Sequence, residues 1–425
     1  MNERDSETIA GLLDEMGFCE GSEADTADIA IINTCSVREN ADNRFFGALG
    51  RLKKAKEARP DFIVGVCGCM MQQQHVVDKL KEKYPWVDLV FGTHNLHELP
   101  KLLSSVISEK RKRIEVLEES CGTVEGLPAK RLHAFKAFVN IMFGCDNFCT
   151  YCIVPYTRGR ERSRQPENII SEVRSLAESG VKEVTLLGQN VNSYRGAEKI
   201  GFTELIYMLN EIDGIERIRF TTSHPKDLSD GLIDAFSECG KLCGHIHLPV
   251  QSGSSRILER MNRKYTKDDY LELSEKLRRS RRGISITTDI IVGFPGETEE
   301  DFEETLDVVR KVEFDSAFTF LYSIRRGTPA EKYEGQVPEE TKHERFGRLI
   351  CLLNGISAKK NKAYEGCTEK VLVEGRSKTN KDVYAGRTDS FKLVNFISGA
   401  DYTGEITDVL ITGSKTFSLF GEKTT

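Results

Sequence analysis

No run of this sequence stays apolar over the roughly 20 residues that a membrane-spanning helix needs, so a membrane protein is not expected. The opening Met1-Asn2-Glu3-Arg4-Asp5 is charged and has no apolar stretch behind it, which argues against a secretory signal at this end. Positive charge is not in excess: 60 Lys and Arg face 66 Asp and Glu, a formal net charge of −6. A dedicated nucleic-acid binder is usually basic, so any RNA contact has to come from local patches. Tryptophan occurs once, and no long repeat or low-complexity tract is present. What remains is an ordinary soluble composition, 39% hydrophobic and 30% charged, over 425 residues. That length exceeds one compact core, so two or three domains are expected.

Cysteine is plentiful, with 12 residues. In a secreted chain they would suggest disulfides. Nothing here points to secretion, and reduced thiols serving a metal in a cytoplasmic protein are the better expectation. Cys19, Cys121, Cys239, Cys243, Cys351 and Cys367 stand outside any motif and are expected to be small buried hydrophobes.

Residues 1–105 alternate helical and strand patterns. A helical period covers 3–16, and short apolar runs at 28–33, 62–66 and 87–91 are separated by helical stretches, which implies a parallel α/β sheet. Thr34-Cys35-Ser36 and Gly68-Cys69-Met70 fall just after two of those strands, where open α/β sheets place ligands. Residues 106–130 are poorly patterned and read as linker, including the basic run Lys110-Arg111-Lys112-Arg113. In 131–362, strands expected at 138–143, 183–187, 217–222, 245–250, 285–292 and 317–322 alternate with amphipathic helices such as 166–178 and 267–279. Pro166 suits a first helical turn. Six such units suggest a partial parallel (β/α)6 barrel with function at the strands' C-terminal ends. Residues 330–362 read as a helical connection. In 363–425, short β runs broken by Gly, Asn and Asp suggest a small all-β barrel that resembles the oligonucleotide-binding kind.

The decisive stretch is Gly144-Cys145-Asp146-Asn147-Phe148-Cys149-Thr150-Tyr151-Cys152, with C-x3-C-x2-C spacing. Thiolates suit iron, and a cubane cluster wants four ligands. Three thiolates on one loop hold three irons and leave the fourth open, as a site that binds a substrate or cofactor requires. S-adenosylmethionine (SAM) fits that opening through its amino and carboxylate groups. Structural zinc would want a fourth His or Cys at finger-like spacing, and none lies close by. Gly293-Phe294-Pro295-Gly296-Glu297-Thr298 follows the fifth strand and fits one wall of a SAM pocket, with Asp289 able to meet a ribose hydroxyl. Gln189 and Gln251 end the second and fourth strands and are expected to face the mouth; strand-end capping is the plainer alternative for each.

The loop and its tail, GCDNFCTYCIVPYTRGRERSR, closely resemble the methylthiotransferases of the radical-SAM superfamily. Within them they are most similar to the tRNA-2-methylthio-N6-dimethylallyladenosine synthases (MiaB type). LLGQNVNSY, TTSHP, HLPVQSGS and GFPGET support the resemblance, which covers essentially the whole chain. It implies an N-terminal methylthiotransferase domain, a radical-SAM barrel and a C-terminal TRAM domain thought to grip tRNA. It also implies a second [4Fe–4S] cluster, with Cys35 and Cys69 matching two of its three ligands. The third belongs to a Gly-Cys-Gln-Met-Asn segment ahead of the first helix, and Met1-Asn2 is where that segment would be ending. Cys67 is disfavoured as a stand-in, because it shares a face with Cys69 only if the strand runs on straight.

The activity implied is methylthiolation of N6-isopentenyladenosine next to the anticodon, at position 37, with tRNA as partner and an electron donor such as flavodoxin or ferredoxin. C2 of adenine is an unactivated aromatic carbon, which makes radical chemistry sensible. A monomer is expected. Arg158, Arg160, Arg162 and Arg164 alternate, and in extended chain they would line one face able to meet phosphates; a solvated or salt-bridged strand is the alternative. A methylthiotransferase acting on threonylcarbamoyladenosine tRNA or on a ribosomal protein is the rival reading, disfavoured by the Thr157–Arg164 tail.

Overall fold

The structure is a computed structural model that describes residues 1–24, 26–36, 39–117, 122, 124–377, 380 and 382–424, with the side chains of 39–43 set aside. Cys121 lies outside the described residues. The chain divides into two units, one formed by 1–132, 142–148 and 152–164, the other by 133–141, 149–151 and 165–425.

The first unit begins with α1 (Asn2–Glu15), β1 (Ile29–Thr34), α2 (Glu39–Ala58), β2 (Ile63–Gly68), α3 (Gln74–Lys83), β3 (Leu89–Phe91), α4 (Leu99–Glu109) and β4 (Arg113–Glu115). The strands form a parallel sheet in the order β1-β2-β3-β4. Its faces are apolar on both sides, as a sheet covered twice requires. Phe45, Leu49, Val64, Val66 and Leu80 pack on the α2–α3 side. Ile9, Leu12, Leu89, Leu99 and Leu103 pack on the α1–α4 side. β4 lies inside the stretch expected as linker. Three residues, Arg-Ile-Glu, are too few to show a period, and the strand exists through its pairing with β3.

The second unit opens with β5 (Lys136–Asn140) and continues with α6 (Pro166–Glu178), β8 (Glu183–Leu187), α7 (Phe202–Asn210), β9 (Arg217–Phe220), α8 (Asp230–Glu238), β10 (His245–His247), α9 (Ser255–Arg260), α10 (Lys267–Ser280), β11 (Ser285–Val292), α11 (Glu299–Val312) and β12 (Ser316–Leu321). Two parallel three-stranded sheets, β5-β8-β9 and β10-β11-β12, are joined by a parallel bridge between Ile218 and Leu242 and a bond from Ser223 N to His247 O. The result is the expected partial six-stranded barrel. Pro166 opens α6, and capping boxes at Thr266–Asp269 and Thr298–Asp301 start α10 and α11.

α12 (Glu339–Lys362) leads to a closed five-stranded barrel of β13 (Thr368–Arg376), β14 (Val383–Thr388), β15 (Leu393–Ile397), β16 (Ile406–Ser414) and β17 (Leu419–Lys423). Its turn between β14 and β15 docks on the N-terminal end of the αβ strands. Arg217 donates to the main-chain oxygens of Arg387 and Lys370 at 2.9 and 2.7 Å. Arg219 donates to those of Asp389 and Thr388 at 2.8 and 2.7 Å and pairs with Glu183 at 2.9 Å. Phe391 stacks on His245 with ring centroids 4.9 Å apart.

Cys239 and Cys243 are buried, as expected of lone cysteines. Cys19, Cys351 and Cys367 are exposed instead, because they fall on a loop, an outer helix face and a turn that nothing covers. Among the described residues no helix is long and apolar enough to cross a membrane.

Candidate functional site

The strand expected over 138–143 is two strands. β5 stops at Asn140, and β6 (Met142–Phe143) turns to pair antiparallel with β7 (Arg162–Ser163). The cysteine loop and the short helix α5 (Val154–Arg158) fill the span between β6 and β7. Gly144 starts the loop at φ +78°, and a Cβ there would lie 1.9 Å from the main-chain oxygen of Arg160. Only glycine fits that approach. Cys145 is fixed by its N–H, which donates to Gly159 O at 3.1 Å.

Cys149 belongs to the barrel unit and is buried. Its neighbour Thr150 donates N–H to Met261 O at 3.0 Å and its hydroxyl to Arg260 O at 2.9 Å, while Ala330 N donates to Thr150 O at 2.9 Å. Arg263 donates Nη1 to Cys149 Sγ at 3.5 Å, Nη2 to Pro249 O at 2.9 Å and Nε to Tyr265 Oη at 3.0 Å. Cys145 and Cys152 are partly exposed, and all three thiols are free of disulfides.

Among the described residues no three His, Cys, Asp or Glu side chains already converge as a cage for a single ion. The donor set suits a cluster instead, since a cubane takes each thiolate on a separate iron. Three cysteines outside any disulfide at C-x3-C-x2-C spacing, with Cys149 buried against a guanidinium, are the kind of donor set an anionic iron–sulfur group takes.

In the first unit, β1 and β2 end in register at Thr34 and Gly68. Cys35 and Cys69 therefore stand one residue beyond the last pair, side by side at the sheet's C-terminal edge. Arg158 reaches Cys69 Sγ with Nε at 3.1 Å and Asp5 Oδ2 with Nη2 at 2.5 Å. Burial pushes the Cys69 thiol up from its ordinary value, and Arg158 opposes the shift. β2 does not run on straight: Cys69 opens a single 3-10 turn. Cys67 instead packs in the α1–α4 core, where burial raises its thiol well above the ordinary value. A thiol so placed resists giving up its proton to bind metal.

The expectation that Arg158, Arg160, Arg162 and Arg164 line one extended face is corrected. Pro155 sits in the first turn of α5, which places Arg158 in the helix's last turn, buried on Asp5 and Cys69. Arg164 is buried on Glu125 at 3.2 Å. Arg160 is exposed, lies over the Phe148 ring at 4.5 Å and approaches Asp146 at 3.4 Å. Arg162 is half-buried and donates to Arg160 O at 3.1 Å.

In the barrel, Asp289 and His247 share the inner face, with Nε2 3.4 Å from Oδ1 and His247 Nδ1 3.0 Å from Thr287 Oγ1. Gln251, at φ +66°, bridges by its main chain to Asp289 O at 2.8 Å and Ile291 N at 2.9 Å. Gln189 is half-buried beyond the end of β8. The loop after β11, expected as one wall of a cofactor pocket, is held by contacts of its own. Glu297 accepts from Gly293 N at 3.0 Å and from Arg345 Nη1 at 2.9 Å, so its carboxylate stiffens the loop. A Cβ on Gly293 would meet Lys342 Cγ at 2.4 Å, so the close approach made there is to α12. Gly296 donates N–H to Gly335 O at 2.7 Å. The basic run at 278–282 is also committed: Arg278 donates to Val312 O at 2.6 Å and Arg281 to Leu242 O at 2.5 Å.

Sequence reasoning missed Arg263, Asp5 and the pair Arg219–Glu183. None carries a spacing signal, because their partners are distant in the chain.

Residues 139–309 match the radical SAM superfamily, residues 1–92 the uncharacterized protein family UPF0004, and residues 362–424 the TRAM domain. Among curated relatives, a tRNA-2-methylthio-N(6)-dimethylallyladenosine synthase of Clostridium botulinum is 54% identical over 425 residues, covering 100% of this chain and 94% of the relative. The synthase of that name from Alkaliphilus oremlandii is 56% identical over 424 residues, covering 99% and 90%. Among solved structures, the radical S-adenosylmethionine methyltransferase TsrM from Kitasatospora setae aligns with a TM-score of 0.56 at 15% identity, over 77% of this chain and 72% of that one. The cobalamin-dependent radical enzyme OxsB aligns with a TM-score of 0.53 at 13% identity, over 83% and 54%. At those identities the two structures speak for the fold alone.

Proposed function

The chain belongs to the tRNA-2-methylthio-N6-dimethylallyladenosine synthases, radical-SAM methylthiotransferases, and from that membership we propose that it methylthiolates N6-isopentenyladenosine at position 37 of tRNA. The observation that carries this is the Gly144–Cys152 loop, three cysteines in no disulfide at C-x3-C-x2-C spacing, in a chain matched from end to end by such relatives.

Cys145, Cys149 and Cys152 would hold a [4Fe–4S] cluster whose fourth iron is left for the amino and carboxylate groups of SAM. Bound together, cluster and SAM supply a carbon-centred radical able to take hydrogen from an unactivated aromatic carbon. The chain's own work is to place the partners. Asp289, held toward His247, is poised for a ribose hydroxyl of SAM, and the main chain at Gln251 shapes the pocket beside it. Gln189 stands at the neighbouring strand end. Gly293, Gly296 and Glu297 keep the adjoining loop rigid.

Cys35 and Cys69, at the edge of the first unit's sheet, are our candidates for the second cluster, the source of the sulfur. Arg160 and Arg162 remain our candidates for phosphate contacts; Arg158 is reassigned to the cysteine site because its guanidinium is spent there. A one-electron donor of the flavodoxin or ferredoxin class, a monomeric state and a cytoplasmic location complete the reading.

The test uses a deletion strain and mass analysis of its tRNA nucleosides. N6-isopentenyladenosine should accumulate, and the wild-type gene should restore the 2-methylthio nucleoside while Cys145→Ala should not. Restoration of a thiolated threonylcarbamoyladenosine, or of a modified ribosomal protein instead, overturns the reading. Iron content then addresses the second cluster: roughly eight irons per chain mean two cubanes and roughly four mean one.

A further inference from the structure

We propose that Arg263 is a positioning residue for the Cys145/Cys149/Cys152 cluster. Its buried positive charge raises that cluster's reduction potential and so governs how readily the cluster takes up an electron. The proposal rests on the cluster reading given above.

Arg263 sits in the turn after α9, where Asn262 adopts φ +58° and Arg263 N donates to Leu258 O at 2.8 Å. The turn is anchored to the cysteine loop through Met261 O, which accepts from Thr150 N. Only 7% of Arg263 is exposed. Its guanidinium meets a phenol, a peptide carbonyl and the Cys149 thiol, all formally neutral. The ionisable groups that face it are Tyr265, Tyr151 and Cys149. His224, whose ring lies 5.6 Å from that of Tyr265, is pushed down to about 2 by burial first, then by Arg263 and Lys226, and so stays neutral.

The other buried arginines differ. Arg158 has Asp5, Arg164 has Glu125, Arg217 and Arg219 share Glu183, and Arg345 has Glu297. Arg263 makes no ion pair with a carboxylate among the described residues. An arginine cannot shed its proton, and a buried charge without a counter-charge is costly. Of the ionisable groups that face it, Cys149 is the one that a cluster would hold as an anion, as a thiolate ligand. Potentials of iron–sulfur clusters follow net charge and hydrogen bonds to sulfur. Reduction adds one electron to the cluster and removes one from a one-electron carrier, with no bond made or broken. A fixed cation in contact with a ligand sulfur stabilises the more negative product of that step, so the electron arrives at a less negative potential.

The experiment compares Arg263, Arg263→Lys and Arg263→Met in chains that also carry Cys35→Ala and Cys69→Ala, so that one cluster reports. Each is reconstituted anaerobically, its iron and sulfide are counted, and its midpoint potential is read by redox titration followed by electron paramagnetic resonance. We expect about four irons per chain, a midpoint shifted to more negative potential in Arg263→Met, and a smaller shift in Arg263→Lys. An unchanged midpoint in Arg263→Met at full iron content overturns the proposal and leaves the cluster reading standing. Should Arg263→Met hold no iron, recovery of the cluster in Arg263→Lys supports the role of charge. A folded Arg263→Lys chain without iron overturns it in favour of hydrogen-bond shape alone. A parent chain that binds no iron overturns both the proposal and the reading beneath it.

Discussion

Arg158 and Cys69, 89 residues apart in sequence, meet through a hydrogen bond of 3.1 Å from Nε to Sγ, and the same guanidinium holds Asp5 at 2.5 Å. One buried arginine thereby ties the first helix, the edge of the first sheet and the tail of the cysteine loop. Removing one partner of a buried ion pair costs about 3–5 kcal/mol, because the other charge is left without compensation. Arg158→Met and Asp5→Asn should each lower the stability of the metal-free chain by about 3 kcal/mol. The double variant should lose less than the sum, since the two share one interaction. Urea unfolding of the four proteins completes the cycle, and strict additivity would remove the coupling.

Gly144→Ala should be disruptive out of proportion to one methyl group. The new Cβ meets the main-chain oxygen of Arg160 at 1.9 Å and its carbonyl carbon at 2.5 Å, at a φ of +78°. The left-handed region alone costs about 1–2 kcal/mol for a residue with a Cβ. Displacement of the Gly159–Arg160 peptide also loosens the bond that fixes Cys145. The expected result is a chain that folds but retains less than half the iron of the wild type after reconstitution, roughly a loss of 2 kcal/mol or more at the site. Wild-type iron content would refute it.

Glu297 makes stability depend on pH in an unusual direction. Burial pushes its carboxyl up to about 7, against the opposing N–H of Gly293 and the Arg345 guanidinium. A carboxyl whose folded value exceeds its unfolded one holds its proton more tightly when folded. Its contribution is fully present below about 4.3 and is lost as pH rises through about 7. The loss is on the order of 3 kcal/mol at 1.36 kcal/mol per pH unit. Glu297→Gln keeps an acceptor for Gly293 and has no proton to lose. Between pH 5 and pH 8 the wild type should lose stability relative to the variant, as read from urea midpoints. Parallel curves would show that the side chain does not titrate there.

Arg160 stands 72% exposed, over the Phe148 ring and 3.4 Å from Asp146, and is our candidate for a phosphate contact. Arg160→Ala should weaken tRNA binding about tenfold at low salt and flatten the dependence of log affinity on log salt by about 0.7–0.9, the share of one phosphate contact. Arg164→Ala, which removes a partner of Glu125 instead, should act on stability and leave the salt slope alone. Filter binding across a salt series separates the two.

Much of the fold was legible because its elements are long enough to show a period. β8, β11 and α6 fall where apolar runs and an initiating proline place them. β4 was not, since three residues carry no pattern and the strand depends on a neighbour 24 positions back in register. The cysteine loop was legible because all its ligands lie within one short span. Arg263 and Asp5 were not, because their partners Cys149 and Arg158 are 114 and 153 residues away. The tail at 158–164 was misread for a local reason: alternation suggests a strand, but Pro155 begins a helix that takes Arg158 with it.

Arg217 and Arg219 end four of their hydrogen bonds on main-chain oxygens of residues 370, 387, 388 and 389. Every amino acid offers the same carbonyl, so these four bonds do not depend on which side chains stand there, although the Asp389 carboxylate also accepts from Arg281 and from Gly244 N, and the Thr388 hydroxyl from Lys392 N. The small barrel is thereby clamped to the large one independently of the covalent connector between them. It acts as a fixed stand-off: its distance from the αβ strands is set by these bonds, and lengthening the connector after α12 leaves that distance unchanged.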